Sequence, residues 1–295
     1  MLAPNPMPTI RSARFDRLLG IALALLAPVA MLFILAHVLW GFLVAGLLFP
    51  LLPARTSNAL VQFWSRVLLV VLGLRLELHH DARAGPIAAT RGSLLVINHI
   101  SWVDVFVIAA VTPARFVAKA EIARWPLLGR FARAVGTVFV ERGRHHAVAH
   151  VNHAVTARLR AGQSIGIFPE GTTTDGSQLL RFHANLVQPA IDARAPVIPL
   201  ALQYRQDAMP TRAAAFIGEM NLIESMWRIL VTPRLTAQLH WLPALDGKQD
   251  NRHAIARRAR AAIGAALALV DQESYGQEPA ARVGEVLDSA SVNGG

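Results

Sequence analysis

The longest hydrophobic run in the chain lies near its amino-terminal end. Residues 18–54 contain no Asp, Glu, Lys or Arg and are mostly apolar. A single membrane-spanning helix needs about 20 apolar residues, so this run is long for one untilted span and short for two. We therefore predict a kinked span or a re-entrant helical hairpin. Five residues could provide the bend: Pro28, Gly41, Gly46, Pro50 and Pro53.

A cleaved signal peptide is the alternative interpretation of this run. The apolar core of a signal peptide is only about 7–15 residues long, which favours a retained membrane anchor here. Arginines stand both before the run, at Arg14 and Arg17, and after it, at Arg55 and Arg66. The positive-inside rule therefore gives no orientation.

Residues 58–74 show apolar positions at helical spacing. This pattern predicts a helix that lies against the membrane or against the protein core, and it favours neither. Gly73 is a suitable residue to end such a helix.

Beyond residue 74, short apolar runs alternate with helical stretches. This alternation predicts an α/β fold with a mixed, largely parallel sheet flanked by helices. Predicted strands cover residues 75–79, 94–97, 115–119, 137–141, 164–168, 197–202 and 236–241. Predicted helices cover residues 102–111, 127–135, 145–160, 186–192, 222–230 and 251–270. We thus expect a polar segment at 1–17, a membrane-anchoring region at 18–74, the main domain at 75–270 and a mobile tail at 271–295.

The composition narrows the class of partner. Hydrophobic residues make up 54% of the chain, and the formal net charge is +10. A positive chain favours an anionic partner, either nucleic acid or an acidic membrane surface. The apolar amino-terminal run favours the membrane. The absence of cysteine excludes disulfides and thiolate metal ligands.

Two polar clusters on predicted helices have alternative interpretations. His146, His150 and His153 share one helix face, yet nothing completes a metal site, so a polar or interfacial face is favoured. The arginines between Arg252 and Arg260 have no interleaved aromatic residues and no nucleic-acid reading motif. A solvated face, or contact with anionic lipid or a carrier protein, is favoured over nucleic acid.

The segment most suggestive of chemistry follows the apolar run 94–97 and has the sequence NHISWVD at residues 98–104. If 94–97 is a strand, His99 lies in the loop at its carboxyl end, where open α/β sheets place ligand sites. Asp104, one turn into the next helix, can turn back toward His99. A carboxylate on one ring nitrogen fixes the tautomer of a histidine that acts as general base. The simpler alternative is a helix cap, with Ser101 capping a helix that begins near Trp102.

Two other predicted strands end in polar residues. Arg142 and Arg144 follow the strand at 137–141, and a guanidinium can grip phosphate or carboxylate. The strand at 164–168 runs into the sequence PEGTTTDG at residues 169–176, where amides and hydroxyls could bind an anion. Solvated arginines and a tight polar turn are the respective alternatives.

Four blocks in this order carry a family resemblance: NHISWVD at 98–104, GTVFVER at 136–142, FPEGT at 168–172 and APVIPL at 195–200. The chain resembles the glycerolipid (PlsC-type) acyltransferases, which include 1-acylglycerol-3-phosphate acyltransferases, over about residues 75–245. One His-x4-Asp pattern alone is weak evidence, whereas four ordered blocks with suitable spacing are specific.

The resemblance implies a role for each block. His99 takes the proton from the acceptor hydroxyl and Asp104 orients it, so that the hydroxyl attacks an acyl thioester without an enzyme nucleophile. Arg142, Glu170, Gly171 and Thr172 are implied to hold the polar head of the acceptor. Acyl-CoA or acyl carrier protein is the implied donor, with no cofactor and no metal.

The block after Thr172 departs from the commonest family pattern. Phosphate-specific members often carry Arg-Ser there, whereas this chain has Thr173 and Thr174. The form is similar to members that acylate lyso-ornithine lipid. We place 1-acylglycerol-3-phosphate first as the acceptor, because Arg142, Arg144 and Arg181 could serve a phosphate.

The expected location is the inner, cytoplasmic membrane, with the active site facing the cytoplasm where thioester donors are made. Two alternatives from other classes stay open. A hydrolase would need an activated serine or a metal-bound water, and Ser101 lacks a Gly-x-Ser-x-Gly turn. A non-catalytic lipid-binding membrane protein would not depend on His99 or Asp104.

Overall fold

The computed structural model describes residues 10–87, 91–119, 123–124, 129, 133, 135–140, 145–207, 209–245 and 251–269. The helix predicted at 127–135 lies mostly outside these residues, and the tail predicted at 271–295 lies entirely outside them. Within the described part, two long helices precede an α/β region.

Helix α1 (Ile10–Leu47) continues through Pro28 and Gly41. A 3-10 turn (Phe49–Leu51) follows it, and helix α2 (Ala54–Val71) comes next. A proline inside a helix removes one hydrogen bond, but the flanking turns of α1 continue on both sides. Most of the apolar run is therefore one helix, and the chain turns only where Pro50 and Pro53 stand.

Helix α2 faces the protein core on one side. Its Arg66 Nε donates to the carbonyl oxygen of Ala110 at 2.9 Å, and its Gln62 Nε2 donates to that of Val111 at 3.1 Å. Both carbonyls belong to the last turn of the neighbouring helix α3 (Asp104–Val111), where they lack helical partners. Gly73, with φ of +70°, ends α2 as predicted.

The remaining elements follow in alternation. The strands are β1 (Arg75–His80), β2 (Leu94–Ile97), β3 (Ala114–Lys119), β4 (Val138–Val140), β5 (Ser164–Ile167), β6 (Val197–Gln206), β7 (Met209–Pro210) and β8 (Leu235–Trp241). The helices are α4 (His145–Arg160), α5 (Gln188–Ala193), α6 (Leu222–Val231) and α7 (Arg252–Ala266), with a 3-10 turn at Ala184–Leu186.

The strands form one eight-stranded sheet with the order β1-β8-β6-β2-β5-β3-β4, and β7 pairs with β6. Strands β6, β2, β5, β3 and β4 are parallel, whereas β8 pairs antiparallel with β6 and parallel with β1. The prediction of a mixed, largely parallel sheet is confirmed.

Helices cover both faces of the sheet, so the central strands are buried on each side. In β2, Leu95 and Ile97 belong to the core shared with α2, α3 and α6. Leu94 and Val96 point the opposite way, into the core shared with α4 and α7. Side chains of β2 thus alternate between the two helical layers. The loop after Ile97 leaves the carboxyl end of this central strand between those layers.

Candidate active site

The candidate site lies at the carboxyl end of the parallel strands. His99 follows β2, and Glu170 follows β5, which is the neighbour of β2 in the sheet. Because these strands run in the same direction, the loops after them meet at one edge. The sequence blocks at 98–104 and 168–172 are therefore in contact.

His99 and Asp104 form a hydrogen-bonded pair. The Nδ1 atom of His99 lies 2.8 Å from Oδ2 of Asp104. The histidine side chain is 20% exposed, whereas the Asp104 side chain is fully buried. The imidazole therefore reaches the surface while its carboxylate partner is shielded from water.

The Asp104 carboxylate also shapes the loop before it. Its Oδ2 atom accepts from the amides of Ile100 and Ser101, at 2.8 and 2.9 Å. These bonds fold residues 100–103 around the carboxylate, so that helix α3 begins at Asp104. The predicted helix start near Trp102 is wrong for this reason. Ser101 Oγ accepts from the amide of Val103 at 3.4 Å rather than capping a longer helix.

Glu170 contacts the backbone of the histidine loop. Its Oε1 accepts from the amide of His99 at 2.8 Å, and its Oε2 accepts from the amide of Leu180 at 2.9 Å. Burial raises the pKa of this carboxyl above its usual range, while the amides of Leu180 and His99 act in the opposite direction. Glu170 is 4% exposed, so this carboxylate joins the loops after β2 and β5.

The residues after Glu170 differ in exposure. Gly171 has φ of +72°, a conformation that favours glycine and turns the chain away from β5. Thr172 is exposed beside it. Of the residues predicted to bind the acceptor, Gly171 and Thr172 thus lie at the rim of the site, and Glu170 lies beneath it.

An aromatic stack supports the imidazole ring. The rings of His99 and Phe168 are stacked at a centroid distance of 4.0 Å, and Phe168 stacks on Phe116 at 6.0 Å. Phe116 lies against Gly166 in β5, where an added Cβ would be 2.6 Å from the phenyl ring. The glycine therefore leaves the space that lets the two phenyl rings lie flat beneath the histidine.

The threonine-rich loop holds the histidine loop from the other side. The amide of Thr174 donates to the carbonyl oxygen of His99 at 2.8 Å. The Thr173 hydroxyl donates to the carbonyl oxygen of Phe216. The amide of Phe216 donates in turn to the carbonyl oxygen of Ile100 at 2.9 Å. Asp175 forms an ion pair with Arg212 at 2.7 Å. The hydroxyls of Thr173 and Thr174, which were predicted to bind an anion, instead donate to backbone carbonyls.

Other residues of the four sequence blocks and their surroundings lie outside the described part of the chain or make no contact with the His99–Asp104 pair. Arg142 and Arg144 lie outside the described residues. Arg181 is described and exposed, and Pro199 lies within β6, opposite Val96 of β2. Among the described side chains, no group of three His, Asp or Glu is arranged to hold a metal ion.

Sequence reasoning missed two buried polar residues. Asn98 exchanges hydrogen bonds with the backbone of Leu202, and Tyr204 donates to Asp104. The signal for Tyr204 was available, because the alternation of β6 continues past residue 202 and repeats the inward positions of Leu200 and Leu202.

Comparison with known proteins identifies the family. A family model described as Acyltransferase matches residues 80–203. The 1-acyl-sn-glycerol-3-phosphate acyltransferase of Neisseria meningitidis serogroup B is 34% identical over 217 residues, which cover 73% of this chain and 83% of that protein. The chain belongs to the acyltransferase family.

Two other acyltransferases are also similar to this chain, one in sequence and one in fold. The lyso-ornithine lipid O-acyltransferase of Pseudomonas aeruginosa is 34% identical over 208 residues, covering 70% of this chain and 78% of that protein. The crystal structure of the 1-acyl-sn-glycerophosphate acyltransferase PlsC from Thermotoga maritima has a TM-score of 0.56 and 18% identity, and covers 89% of this chain and 100% of that one. This last similarity shows that the fold is shared.

Proposed function

We propose that this acyltransferase moves a fatty acyl chain from acyl-CoA or acyl carrier protein to the hydroxyl of a lysolipid, with His99 as the general base. The observation that carries the proposal is the His99–Asp104 pair. The Nδ1 atom is bonded to a buried carboxylate, which leaves Nε2 as the ring nitrogen that takes a proton.

The reaction balances with these groups alone. His99 removes the proton of the acceptor hydroxyl as its oxygen attacks the thioester carbonyl carbon. The new C–O bond forms, the C–S bond breaks, and the proton passes from His99 to the departing thiolate. Asp104 stabilises the imidazolium between the two proton transfers. Phe168, stacked on the ring, limits its rotation and adds cation–π stabilisation.

The geometry favours direct transfer over hydrolysis through a serine nucleophile. Ser101, the hydroxyl nearest to His99 in sequence, is fully buried, and its Oγ accepts from the Val103 amide. A nucleophile must reach the substrate and bond to its base. Ser101 meets neither condition, so the acceptor hydroxyl itself is the nucleophile.

The proposed acceptor is 1-acylglycerol-3-phosphate, and the product is phosphatidic acid. Two observations support it: the 34% identity to the Neisseria enzyme and the exposed Arg181 near the loop that Glu170 fixes. Arg142, with Gly171 and Thr172, completes the proposed acceptor site. Glu170 acts there by holding the His99 and Leu180 amides.

Lyso-ornithine lipid is the second candidate. The Pseudomonas relative named for that substrate has the same 34% identity. The loop after Thr174 also carries a carboxylate, Asp175, whose partner Arg212 is 67% exposed. An ammonium group on the acceptor would compete with Arg212 for this carboxylate.

We further propose that α1 anchors the enzyme in the inner membrane, with the site facing the cytoplasm. The apolar part of the helix, from Leu18 to the following turn, is long enough to cross a bilayer, and only 11% of its most apolar window is buried. The core helix of a soluble protein would be mostly buried. Thioester donors made in the cytoplasm require the site on that side.

The test is acyl transfer by the purified full-length protein in detergent, with labelled acyl-CoA and acyl carrier protein supplied to a panel of lysolipids. We expect transfer to 1-acylglycerol-3-phosphate that His99→Ala abolishes while the thermal unfolding curve stays that of a folded protein. Transfer only to lyso-ornithine lipid would move the acceptor and keep the mechanism.

Two results would contradict the proposal. Release of free fatty acid without any acceptor would establish a hydrolase. Tight lipid binding without transfer, unaffected by His99→Ala, would establish a non-catalytic lipid-binding protein.

A further inference from the structure

We propose that Tyr204 is a positioning residue of the His99–Asp104 pair, because its phenol fixes the carboxylate oxygen that faces away from the histidine. Its hydroxyl donates to Oδ1 of Asp104 at 2.7 Å. The inference rests on the proposed function for its kinetic part only. The hydrogen bond itself can be tested without any activity.

The carboxylate of Asp104 takes part in four hydrogen bonds, which divide between its two oxygens. Oδ2 binds His99 and the amides of Ile100 and Ser101. Oδ1 is bound by Tyr204. Without the phenol, Oδ1 would be a buried carboxylate oxygen that has lost its partner, and such a loss is costly. Rotation of the carboxylate would then weaken the geometry at His99.

The length of β6 explains how a residue so far along the chain reaches Asp104. Strand β2 ends at Ile97, which lies opposite Leu200, whereas β6 continues to Gln206. The part of β6 beyond Leu200 therefore runs beneath the loop that contains His99. Alternation along the strand puts Tyr204 on the same face as Leu200 and Leu202.

Asn98 fixes the register between this part of β6 and the loop. Its Nδ2 donates to the carbonyl of Leu202 at 2.9 Å, and its Oδ1 accepts from the Leu202 amide at 2.7 Å. The side-chain amide thus continues the ladder for one step after β2 has ended. Tyr204, two residues further on, is held at a fixed distance from the loop.

Tyr204 is suited to be a permanent donor. It is 1% exposed. Burial, followed by the charge of Asp104 and the hydrogen bond to it, raises the pKa of Tyr204 well above the usual range. The phenol therefore stays protonated wherever the enzyme works, and the bond to Asp104 does not depend on pH through this group.

The kinetic test is Tyr204→Phe, which keeps the ring and removes the hydroxyl. A hydrogen bond to a charged group is worth enough for a decrease in kcat of about 10- to 100-fold. We expect KM for the donor and for the acceptor to stay within about twofold, since Tyr204 does not touch either substrate. In an Asp104→Asn background the same change should lower kcat by less than about twofold, because the two residues act together.

A matched control is Ser225→Ala. Ser225 is buried and accepts from Nε1 of Trp102 at 3.1 Å, so this variant also breaks a partly buried hydrogen bond to the 98–104 loop without touching the pair. We expect it to lower the unfolding temperature and leave kcat unchanged. If Tyr204 served stability alone, Tyr204→Phe and Ser225→Ala would both have a lower unfolding temperature and an unchanged kcat.

The chain has two tyrosines, which permits a spectroscopic test. With Tyr275→Phe, 3-fluorotyrosine incorporation labels position 204 alone. We expect the fluorine resonance to move when Asp104→Asn is added and to stay in place when Ser225→Ala is added. This part of the test needs no substrate. It therefore tests the hydrogen bond even if the protein transfers no acyl chain to any acceptor.

The outcomes separate the inference from the proposed function. An unchanged kcat in folded Tyr204→Phe, or a resonance indifferent to Asp104→Asn, overturns the role of Tyr204. A wild-type protein that transfers to no acceptor overturns the proposed function instead. A lower kcat, an unchanged KM and a resonance that depends on Asp104 together support the inference.

Discussion

Strand β2 and helix α1 are both apolar runs without charge at their centres, yet they are buried in different ways. All four residues of β2 are fully buried between two layers of helices. In α1, by contrast, Leu25 is 74% exposed and Leu32 is 69% exposed. The α/β region therefore supplies its own apolar surroundings, whereas α1 needs them from outside the chain.

Helix α1 nevertheless has one side that belongs to the protein. Ala27, Ile34 and Ala45 are buried. The rings of His37 and Trp64 of α2 are stacked at a centroid distance of 4.8 Å. Nε2 of His37 bonds to the carbonyl oxygen of Trp64, and Nε1 of Trp64 donates to the carbonyl oxygen of His37. The helix is thus fixed to α2 along one stripe, and much of the rest of its circumference is exposed.

The comparison teaches that hydrophobic runs serve two separable tasks here. The sheet holds the His99–Asp104 pair, and the exposed side of α1 is the part that we propose lies in the membrane. Substitutions in one region should leave the task of the other intact.

The largest expected effect comes from Asp104→Asn in the sheet region. An asparagine cannot stabilise the imidazolium, and it permits the wrong tautomer, so kcat should fall by about 10⁴-fold as in a comparable His–Asp pair. Steady-state kinetics measures this change. The protein should still sediment with membranes, and loss of membrane binding would break the separation of tasks.

The next effect concerns α1. Leu32→Arg places a charge on its exposed side, at a cost of about 2.5–3.5 kcal/mol near the centre of a span. We expect less protein in the membrane fraction and unchanged kcat for the protein that is recovered in detergent. Met209→Arg is the control, because Met209 is 63% exposed but lies on β7. Equal losses in both variants would contradict the role of α1.

Gly166→Ala tests the stack beneath His99. The added methyl would overlap the ring of Phe116, and overpacking of this kind costs about 1–3 kcal/mol. We expect a lower unfolding temperature together with a lower kcat, because Phe116 stacks on Phe168, which in turn stacks on His99. Gly264→Ala in α7 is the control, since its nearest neighbour is 3.6 Å away. A normal kcat in Gly166→Ala would show that the stack does not hold the imidazole.

The smallest effect concerns Glu170. Burial raises its pKa above the ordinary value of 4.5, so the folded state binds a proton more readily than the unfolded state. Its contribution to the free energy of unfolding should decrease as pH rises from about 4.5 through the raised pKa. Glu170→Gln cannot titrate and loses one amide acceptor, worth about 1 kcal/mol. The unfolding temperature of the variant relative to wild type should therefore rise with pH, and parallel curves would contradict the shift.

Local patterns were sufficient to predict much of the sheet. The prediction for β2 matches at both ends, because a short apolar run between polar turns has few alternatives. Helix α4 also matches its predicted bounds. Strand β6 is longer than predicted, since its second half is stabilised by antiparallel pairing with β8, a partner that is distant in sequence.

The sequence predicts the part of the candidate site that is made by neighbouring residues. It does not predict the contacts between residues that are distant in sequence. The closeness of His99 and Asp104 follows from a spacing of five residues in one loop and helix. The partners of Glu170 are the amides of His99 and Leu180, and no pattern around residue 170 identifies them. The alternation of β6 indicates the inward side of Tyr204, but its bond to Asp104 joins residues 100 positions apart, and no local pattern predicts it. The prediction for Arg142 stays a prediction.

The pairing of β1 with β8 has a consequence for the order in which the protein is made. Arg75 lies opposite Thr236. Among the described strands, β1 therefore pairs only with β8, the last strand of the sheet in sequence. At about 5–20 residues per second, a ribosome delivers α1 many seconds before it delivers β8. The proposed anchor can thus enter the bilayer while β1, which follows α2, is still unpaired. If nascent chains are held apart at the membrane, each unpaired strand meets fewer others, and the proposed insertion would then also protect an unfinished sheet.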